Sequence, residues 1–282
     1  MPELPEVEVA SRNLRRWMNQ HKIRGVEPLE GSKRIFRPET AASMDTLIGA
    51  RFRDLRRVGK NILMTFDTRT GPAGLWSHLG LTGKWVHRAA GAPEPPFARV
   101  AVELDDRTQL FYVDTRIFGR LRVVPAAAFE EIPEIAALGP DPLNDGIDAK
   151  ALHAKLAKIS KPIKVAIMDQ ALLPGIGNIQ AIEGLHRAEI DPRRPAKSLS
   201  QAEVNHLRKG LLDSIEFTLK SFADDGADGG ANDITYVEER RSPNPFLIYG
   251  RKGEPCPRCK KGIITRIVQA QRATYFCPNC QK

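Results

Sequence analysis

Cysteine is absent from the first 255 residues of this 282-residue chain, which argues against a secreted domain held together by disulfides. No apolar run approaches the roughly 18 residues of a membrane helix, so we expect no membrane partner. The first ten residues, MPELPEVEVA, are acidic and lack an apolar core, so we expect no secretory signal and a cytoplasmic protein. Hydrophobic residues make up 41% and charged residues 27%, which is typical of a globular protein.

Positive charge is concentrated at the two ends of the chain. The formal net charge is +9, from 43 Lys and Arg against 34 Asp and Glu. Residues 240–282 contain ten basic residues and one acid, whereas residues 61–239 contain more acids than bases. A localised basic surface is expected of a protein that binds a polyanion such as nucleic acid. A solubilising tail is the alternative that charge alone leaves open.

The four cysteines form two C-x-x-C pairs, CPRC and CPNC, with seventeen residues between them. This spacing is typical of a site in which each pair contributes two thiolates to one tetrahedral zinc ion. The intervening segment predicts a β-hairpin that presents Arg266 and Arg272. Two disulfides are the alternative, and they are disfavoured in a chain without an export signal. We therefore expect one structural Zn²⁺ ion with four ligands: Cys256, Cys259, Cys277 and Cys280.

Hydrophobic periodicity predicts an α+β chain. An amphipathic pattern over residues 4–20 predicts a leading helix, and short strand-like runs between residues 22 and 124 predict a β-sandwich or a barrel. Helical patterns recur over residues 148–158, 162–170, 178–187 and 200–222. The predicted domains are an N-terminal β domain (1–124), a linker (125–147), a helical domain (148–240) with a mobile loop at 223–233, and a zinc hairpin (241–282).

The Met-Pro start of the sequence predicts a reactive amino terminus. Removal of the initiator Met is usual before a small second residue and would leave Pro2 as a free secondary amine. An α-amino group titrates near pH 8, so part of it is nucleophilic at about pH 7 and can form a Schiff base with a sugar carbon. Glu3 and Glu6 are close enough in sequence to transfer protons. The alternative is that Pro2 is only a favourable first helical residue.

Several motifs occur in one order along the chain: MPELPEVE (1–8), VGKNIL (58–63), HLGLTG (78–83), DTRIFG (114–119), the IKxxIMDQxxLPGIGNI pattern (163–179), YGRKGEPC (249–256) and QRATYFCPNC (271–280). Together they resemble the formamidopyrimidine-DNA glycosylase / endonuclease VIII family, and its formamidopyrimidine-DNA glycosylase branch more closely. The resemblance implies a catalytic N-terminal β-sandwich, a helix-two-turn-helix DNA-binding domain and a C-terminal zinc finger.

The resemblance also implies an activity and a partner. The expected activity is that of a bifunctional DNA glycosylase and abasic-site lyase of base excision repair, which excises oxidised purines such as 8-oxoguanine and formamidopyrimidines. Its partner would be double-stranded DNA with a damaged base or an abasic site. We expect a monomer associated with a bacterial-type nucleoid.

The motifs assign roles to individual residues by resemblance. The catalytic residues would be Pro2 as the nucleophile, Glu3 as the proton shuttle, and Lys60 and Arg272 on the phosphates, with Glu6 orienting the amino terminus. The residues that contact DNA would be Leu81, Arg116 and Phe118 inside the duplex, because the family flips its target base out of the helix, and Lys164 and Asn178 on the phosphates.

Three departures from the family pattern bear on substrate preference. Leu81 occupies a position that is commonly Met in the 8-oxoguanine branch. Thr115 and Ile117 replace the proline and the second arginine of a DPRRFG loop, and FARV at 97–100 lacks the family's histidines. We expect Arg99 to offset part of the lost phosphate binding. Two alternatives follow: an endonuclease VIII-like enzyme for oxidised pyrimidines, and a non-enzymatic zinc-containing protein that binds damaged DNA.

Overall fold

The computed structural model describes residues 2–36, 41–224 and 244–282. The described residues divide into a first compact unit, formed by residues 2–136 together with residues 222–224, and a second unit, formed by residues 137–221 and 244–282. No helix within the described ranges has both the length and the apolar character that crossing a membrane requires.

The first unit contains two four-stranded antiparallel sheets, which confirms the predicted β-sandwich. One sheet has the order β1-β6-β7-β5 and the other has the order β2-β3-β4-β8. The strands are β1 (Ile23–Pro28), β2 (Arg51–Val58), β3 (Asn61–Thr68), β4 (Gly71–His78), β5 (Lys84–Arg88), β6 (Ala98–Leu104), β7 (Gln109–Val113) and β8 (Arg120–Pro125). The VGKN motif forms the turn between β2 and β3, and the HLGLTG motif begins at the last residue of β4.

The leading helix α1 (Leu4–Met18) ends two residues earlier than the sequence predicts. Val7, Leu14 and Trp17, whose spacing predicted its apolar face, are all buried, because this face packs against β2 and β5. A one-turn helix α2 (Ser32–Ile35) and a 3₁₀ helix (Ala41–Leu47) follow β1. The core of the first unit therefore lies between the helix and the two sheets.

Residues 125–147, predicted as a linker, contain regular structure in their first half. A 3₁₀ helix (Ala126–Glu131) and the one-turn helix α3 (Pro133–Ala136) follow β8. Phe129 is buried against β4, where Gly74 leaves room for its ring. This packing explains why the first compact unit extends to Ala136.

The second unit is built from helices and a small hairpin. Its elements are α4 (Ala149–Leu156), α5 (Ile163–Ala166), α6 (Asn178–Arg187), a 3₁₀ turn (Ala196–Ser198), α7 (Gln201–Asp224, which belongs to this unit as far as Ser221), β9 (Thr265–Gln269) and β10 (Arg272–Phe276). Helix α7 continues through residues 223 and 224, which the sequence assigned to a mobile loop, so that boundary was wrong. Residues 225–233 of the predicted loop lie outside the described residues. Ile182 on α6 packs with Ile248 and Ile264, so the hairpin module shares a core with the helices.

Candidate active site and zinc centre

Pro2, Glu3 and Glu6 lie within one buried turn at the start of α1. The N–H of Glu3 donates to Oε2 of Glu6 at 2.7 Å, which holds the two residues together at the helix end. Helix α1 begins at Leu4 with Glu3 as its N-cap, so Pro2 lies ahead of the helix. The alternative interpretation of Pro2 as a first helical residue is therefore wrong.

Lys60 lies in the two-residue turn between β2 and β3 and is nearly buried. Gly59, the first residue of the turn, has a φ of +58°, which glycine adopts without steric cost. Arg57 fixes this turn, since its Nη1 donates to the carbonyl oxygen of Gly59 at 3.0 Å and its Nε donates to Oε2 of Glu8 at 2.8 Å. Because Glu8 lies on α1, the partly buried Arg57–Glu8 ion pair connects the amino-terminal helix to the turn of Lys60. Sequence analysis missed both residues of this pair.

His78 ends β4 and is half-buried. Its Nδ1 accepts the N–H of Gly80 at 3.1 Å, a bond that requires Nδ1 to be unprotonated. Burial, with the charges of Lys60 and Arg120, lowers the pKa of His78 from 6.5 to about 4. His78 is thus neutral near pH 7 and stabilises the turn that begins the HLGLTG motif.

This lowered pKa predicts a loss of stability in mild acid. The unfolded chain binds a proton at His78 below pH 6.5 and the folded chain only near pH 4, so the free energy of unfolding should fall by about 2 kcal/mol from pH 7 to pH 5. Urea titrations followed by tryptophan fluorescence measure this in the first unit, which contains all three tryptophans: Trp17, Trp76 and Trp85. The variant His78→Gln should lose this part of the pH dependence, and His206→Gln, exposed on α7, should keep it. Equal slopes for His78→Gln and the unmodified protein would contradict the assignment.

The residues predicted to enter the duplex lie in two adjacent turns. Leu81 is partly exposed, and Phe118 keeps 52% of its surface exposed rather than joining the core. The guanidinium carbon of Arg116 lies 5.2 Å from the centre of the Phe118 ring, within cation–π range. A Cβ on Gly80 would lie 2.5 Å from the backbone of Phe118, so only glycine permits this approach of the two turns. The structure therefore places the turn of Leu81 against the loop that carries Arg116 and Phe118.

Arg99 does not provide the compensating phosphate contact that we expected. Its side chain is buried, with Nε donating to the carbonyl oxygen of Asp114 at 2.9 Å and Nη1 donating to that of Glu30 at 2.8 Å. These bonds use the guanidinium to anchor the base of the 114–119 loop. The expectation was wrong because the sequence did not show that Arg99 points into the fold.

In the second unit, Asn178 and the strand of Arg272 are in contact. Asn178 is the first residue of α6, and its Nδ2 donates to the carbonyl oxygen of Ala273 at 3.0 Å. Arg272 is exposed at the start of β10, directly before that carbonyl. Lys164 on α5 is fully buried, and its role in DNA binding stays a prediction. A helix N-terminus beside an exposed arginine is a favourable position for a phosphate.

The four cysteines form a compact cluster that fits one zinc ion. Their Sγ atoms all lie within 4.8 Å of one another, and the thiols are not joined as disulfides. The Sγ atoms of Cys256 and Cys280 are 3.6 Å apart and those of Cys259 and Cys277 are 3.7 Å apart. A tetrahedral ion with Zn–S bonds of about 2.3 Å requires sulfur separations of about 3.8 Å. The site can therefore hold one structural Zn²⁺, and four thiolates leave no open position for catalysis.

A buried carboxylate attaches residues 247–249, which precede the first zinc-binding cysteine pair, to α6. Glu183 is fully buried, and its two oxygens accept the N–H groups of three consecutive residues, Leu247, Ile248 and Tyr249, at 3.1, 2.9 and 3.0 Å. Arg187 donates to the same carboxylate at 2.7 Å. Sequence analysis missed Glu183, because a lone glutamate in a helical pattern is usually a solvated residue.

Comparison with known proteins connects these features. The model of the formamidopyrimidine-DNA glycosylase N-terminal domain matches residues 1–121, that of the formamidopyrimidine-DNA glycosylase H2TH domain matches residues 138–224, and that of the zinc finger found in FPG and IleRS matches residues 253–282. A formamidopyrimidine-DNA glycosylase from Symbiobacterium thermophilum is 38% identical over 285 residues, which span 100% of this chain and 89% of that protein.

Two solved structures share the fold over nearly the whole chain. The Lactococcus lactis Fpg bound to DNA that contains an abasic site superimposes with a TM-score of 0.85 and 28% identity, covering 99% of each chain. MutM in complex with DNA that contains carbocyclic 8-oxo-G superimposes with a TM-score of 0.84 and 29% identity, covering 100% of both chains.

Proposed function

The chain belongs to the formamidopyrimidine-DNA glycosylase family, and we propose that it excises oxidised purines from duplex DNA through a Schiff base on Pro2. As a member of this family it is a DNA glycosylase and abasic-site lyase with a zinc finger. The observation that carries the proposal is the match of all three domain models in order along one chain. The nucleoid is the proposed location, since that is where its DNA substrate lies.

The proposed chemistry begins at the amino terminus after Met1 has been removed. The nitrogen of Pro2 attacks C1′ of the flipped nucleotide, and the bond from C1′ to the damaged base breaks, with the base leaving as a protonated species. Glu3 transfers the protons that open the sugar ring and leave an iminium between the nitrogen and C1′. The hydrogen bond from the N–H of Glu3 to the Glu6 carboxylate supports this role, because it fixes the backbone of Glu3 directly beside Pro2.

The iminium makes strand cleavage possible without a metal at the reacting carbon. It acidifies the C2′ proton, so that proton loss expels the 3′ phosphate in β-elimination and a second elimination expels the 5′ phosphate. Lys60, held by the Arg57-anchored turn, would polarise a phosphate beside the lesion. Arg272 and Asn178 would hold flanking phosphates, and the 81, 116 and 118 side chains would fill the space of the flipped base.

Borohydride trapping tests this function. Borohydride reduces the iminium to a stable amine, so the protein should become covalently attached to duplexes that contain 8-oxoguanine or an abasic site. A duplex with thymine glycol should trap at least about tenfold more slowly, in line with transition-state discrimination by contacts to the base. The measurement is the rate of formation of the slow-migrating complex under single-turnover conditions.

The outcomes separate the alternatives. Faster trapping with thymine glycol than with 8-oxoguanine would identify an enzyme of the endonuclease VIII type. Binding to all three duplexes without trapping to any would identify a non-enzymatic protein that recognises damaged DNA. Binding itself should weaken steeply with salt, because phosphate contacts release counterions.

A further inference from the structure

We propose that Asp114 is a positioning residue that joins the 78–83 turn and the 114–119 loop into one rigid wedge. Asp114 directly follows β7, and its side chain is fully buried. The two segments carry Leu81, Arg116 and Phe118, which the proposed function places inside the duplex. The inference rests on that function for its catalytic consequence, whereas the joining of the two segments can be measured without it.

The carboxylate of Asp114 contacts both segments. Oδ1 accepts the hydroxyl of Thr82 at 2.5 Å and the N–H of Arg116 at 3.1 Å, and Oδ2 accepts the N–H of Gly119 at 2.8 Å. The N–H of Arg116 also approaches Oγ1 of Thr82 at 3.2 Å. Thr82 is the residue after Leu81, so one hydrogen-bonded cluster connects the turn of the first side chain to the loop of the other two.

The Asp114 carboxylate accepts hydrogen bonds on both sides of Ile117, whose backbone is strained. Ile117 has a φ of +55°, in the left-handed region that a β-branched residue rarely adopts. The N–H groups that Asp114 accepts belong to the residues immediately before Ile117 and two after it, so these bonds hold the loop in this conformation. Without them we expect the loop to relax to a conformation in which Arg116 and Phe118 point elsewhere.

The backbone of Asp114 is also fixed, which makes its side chain a firm anchor. Its N–H donates to the carbonyl oxygen of Phe97 at 3.1 Å, and its own carbonyl oxygen accepts Nε of Arg99 at 2.9 Å. Asp114 therefore attaches the wedge to the β-sandwich. A rigid wedge favours excision, because displacement by about 1 Å of groups that position a substrate can cost about 100-fold in rate.

The test compares two variants with a matched control. Thr82→Val removes only the hydroxyl that donates to Asp114, and Asp114→Asn replaces an acceptor oxygen by a donor. Thr108→Val removes the same kind of hydroxyl from a pair with Asp106, at 2.7 Å in the exposed turn between β6 and β7. Thermal unfolding and zinc content verify that each variant is folded, and Thr82→Val provides the result if Asp114→Asn fails this check.

Hydrogen exchange without DNA measures the joining of the segments. Thr82→Val should accelerate exchange of the Arg116 amide by about tenfold or more, although the two residues are 34 positions apart, because it frees one side of the shared cluster. Thr108→Val should leave this amide unchanged. Unchanged exchange at Arg116 in Thr82→Val would overturn the proposal whatever the activity of the protein.

Single-turnover kinetics measure the catalytic consequence. Both variants should slow excision of 8-oxoguanine by about 10- to 100-fold but strand cleavage at a preformed abasic site by less than about threefold, because no base remains to be displaced there. The double variant should be no slower than Asp114→Asn, since both changes break one network. Equal losses on the two substrates, or additive losses, would overturn the positioning role. A different outcome separates the two claims. If the unmodified protein cleaves neither substrate but Thr82→Val still accelerates exchange at Arg116, the proposed function is refuted and the joining of the segments stands.

Discussion

A variant that retains Met1 should form no borohydride-stable complex with DNA that contains an abasic site. Pro2→Leu is such a variant, because a large second residue prevents removal of the initiator Met. Residue 2 then carries a peptide bond instead of a free amine, and the nearest amine is displaced by one residue from the buried position beside Glu3 and Glu6. We expect trapping and strand cleavage to fall by at least roughly 10³-fold, as for the loss of other catalytic nucleophiles.

The variant Pro2→Gly is the matched control for this prediction. It permits removal of Met1 and keeps an α-amine with a pKa near 8, so trapping should continue at a reduced rate. Mass spectrometry of the intact proteins establishes which amino terminus each sample has, and fluorescence anisotropy on an uncleavable abasic-site analogue establishes that both bind DNA. Trapping of Pro2→Leu at the rate of the unmodified protein, with Met1 present on every molecule, would exclude Pro2 as the nucleophile.

The general fold could be predicted from the sequence because its patterns are local. Alternating hydrophobic residues predict strands, and the spacing of Val7, Leu14 and Trp17 predicts the buried face of α1. The spacing of the cysteines predicts the zinc cluster for the same reason, since each pair forms its own turn. The strand order and the extension of the first unit to Ala136 depend on packing between distant segments, such as Phe129 against Gly74, and no local pattern indicates them.

The candidate site also has a part that local sequence patterns predict and a part that they do not. The motifs name the side chains that face a ligand, including Lys60 and Phe118. They do not name the buried groups that hold these side chains in place, because each such group is paired with a residue far away in sequence. Arg57 pairs with Glu8 across 49 positions, and Glu183 accepts from Ile248 across 65. Charge alone cannot distinguish such residues from solvated ones, which is also why Arg99 was misassigned.

Removal of the zinc ion should abolish DNA binding by the second unit, while the β-sandwich of the first unit stays folded. The hairpin of residues 253–282 has too few apolar residues to form a core alone, and binding of structural zinc contributes about 10–16 kcal/mol to folding in small zinc modules. Arg272 follows a hairpin turn in which Ala270 and Gln271 have φ values of +46° and +60°, a conformation that costs energy in residues other than glycine. Without the metal we expect this turn to relax. Arg272 would then lose its position near Asn178, which is bonded to the next residue of the hairpin, Ala273.

Cys277→Ala tests this expectation, because Cys277 is a fully buried ligand. The variant should contain less than about a tenth of the zinc of the unmodified protein and should bind abasic-site DNA about 100-fold more weakly or worse, whereas tryptophan fluorescence should report an unchanged first unit. Lys261→Ala is the control, since it removes an exposed charge from the same hairpin without removing a ligand, and it should retain the zinc and lose only the affinity of one cation. The structural role of the metal would be contradicted if Cys277→Ala lost its zinc but kept the affinity of the control, because the hairpin would then hold Arg272 without it.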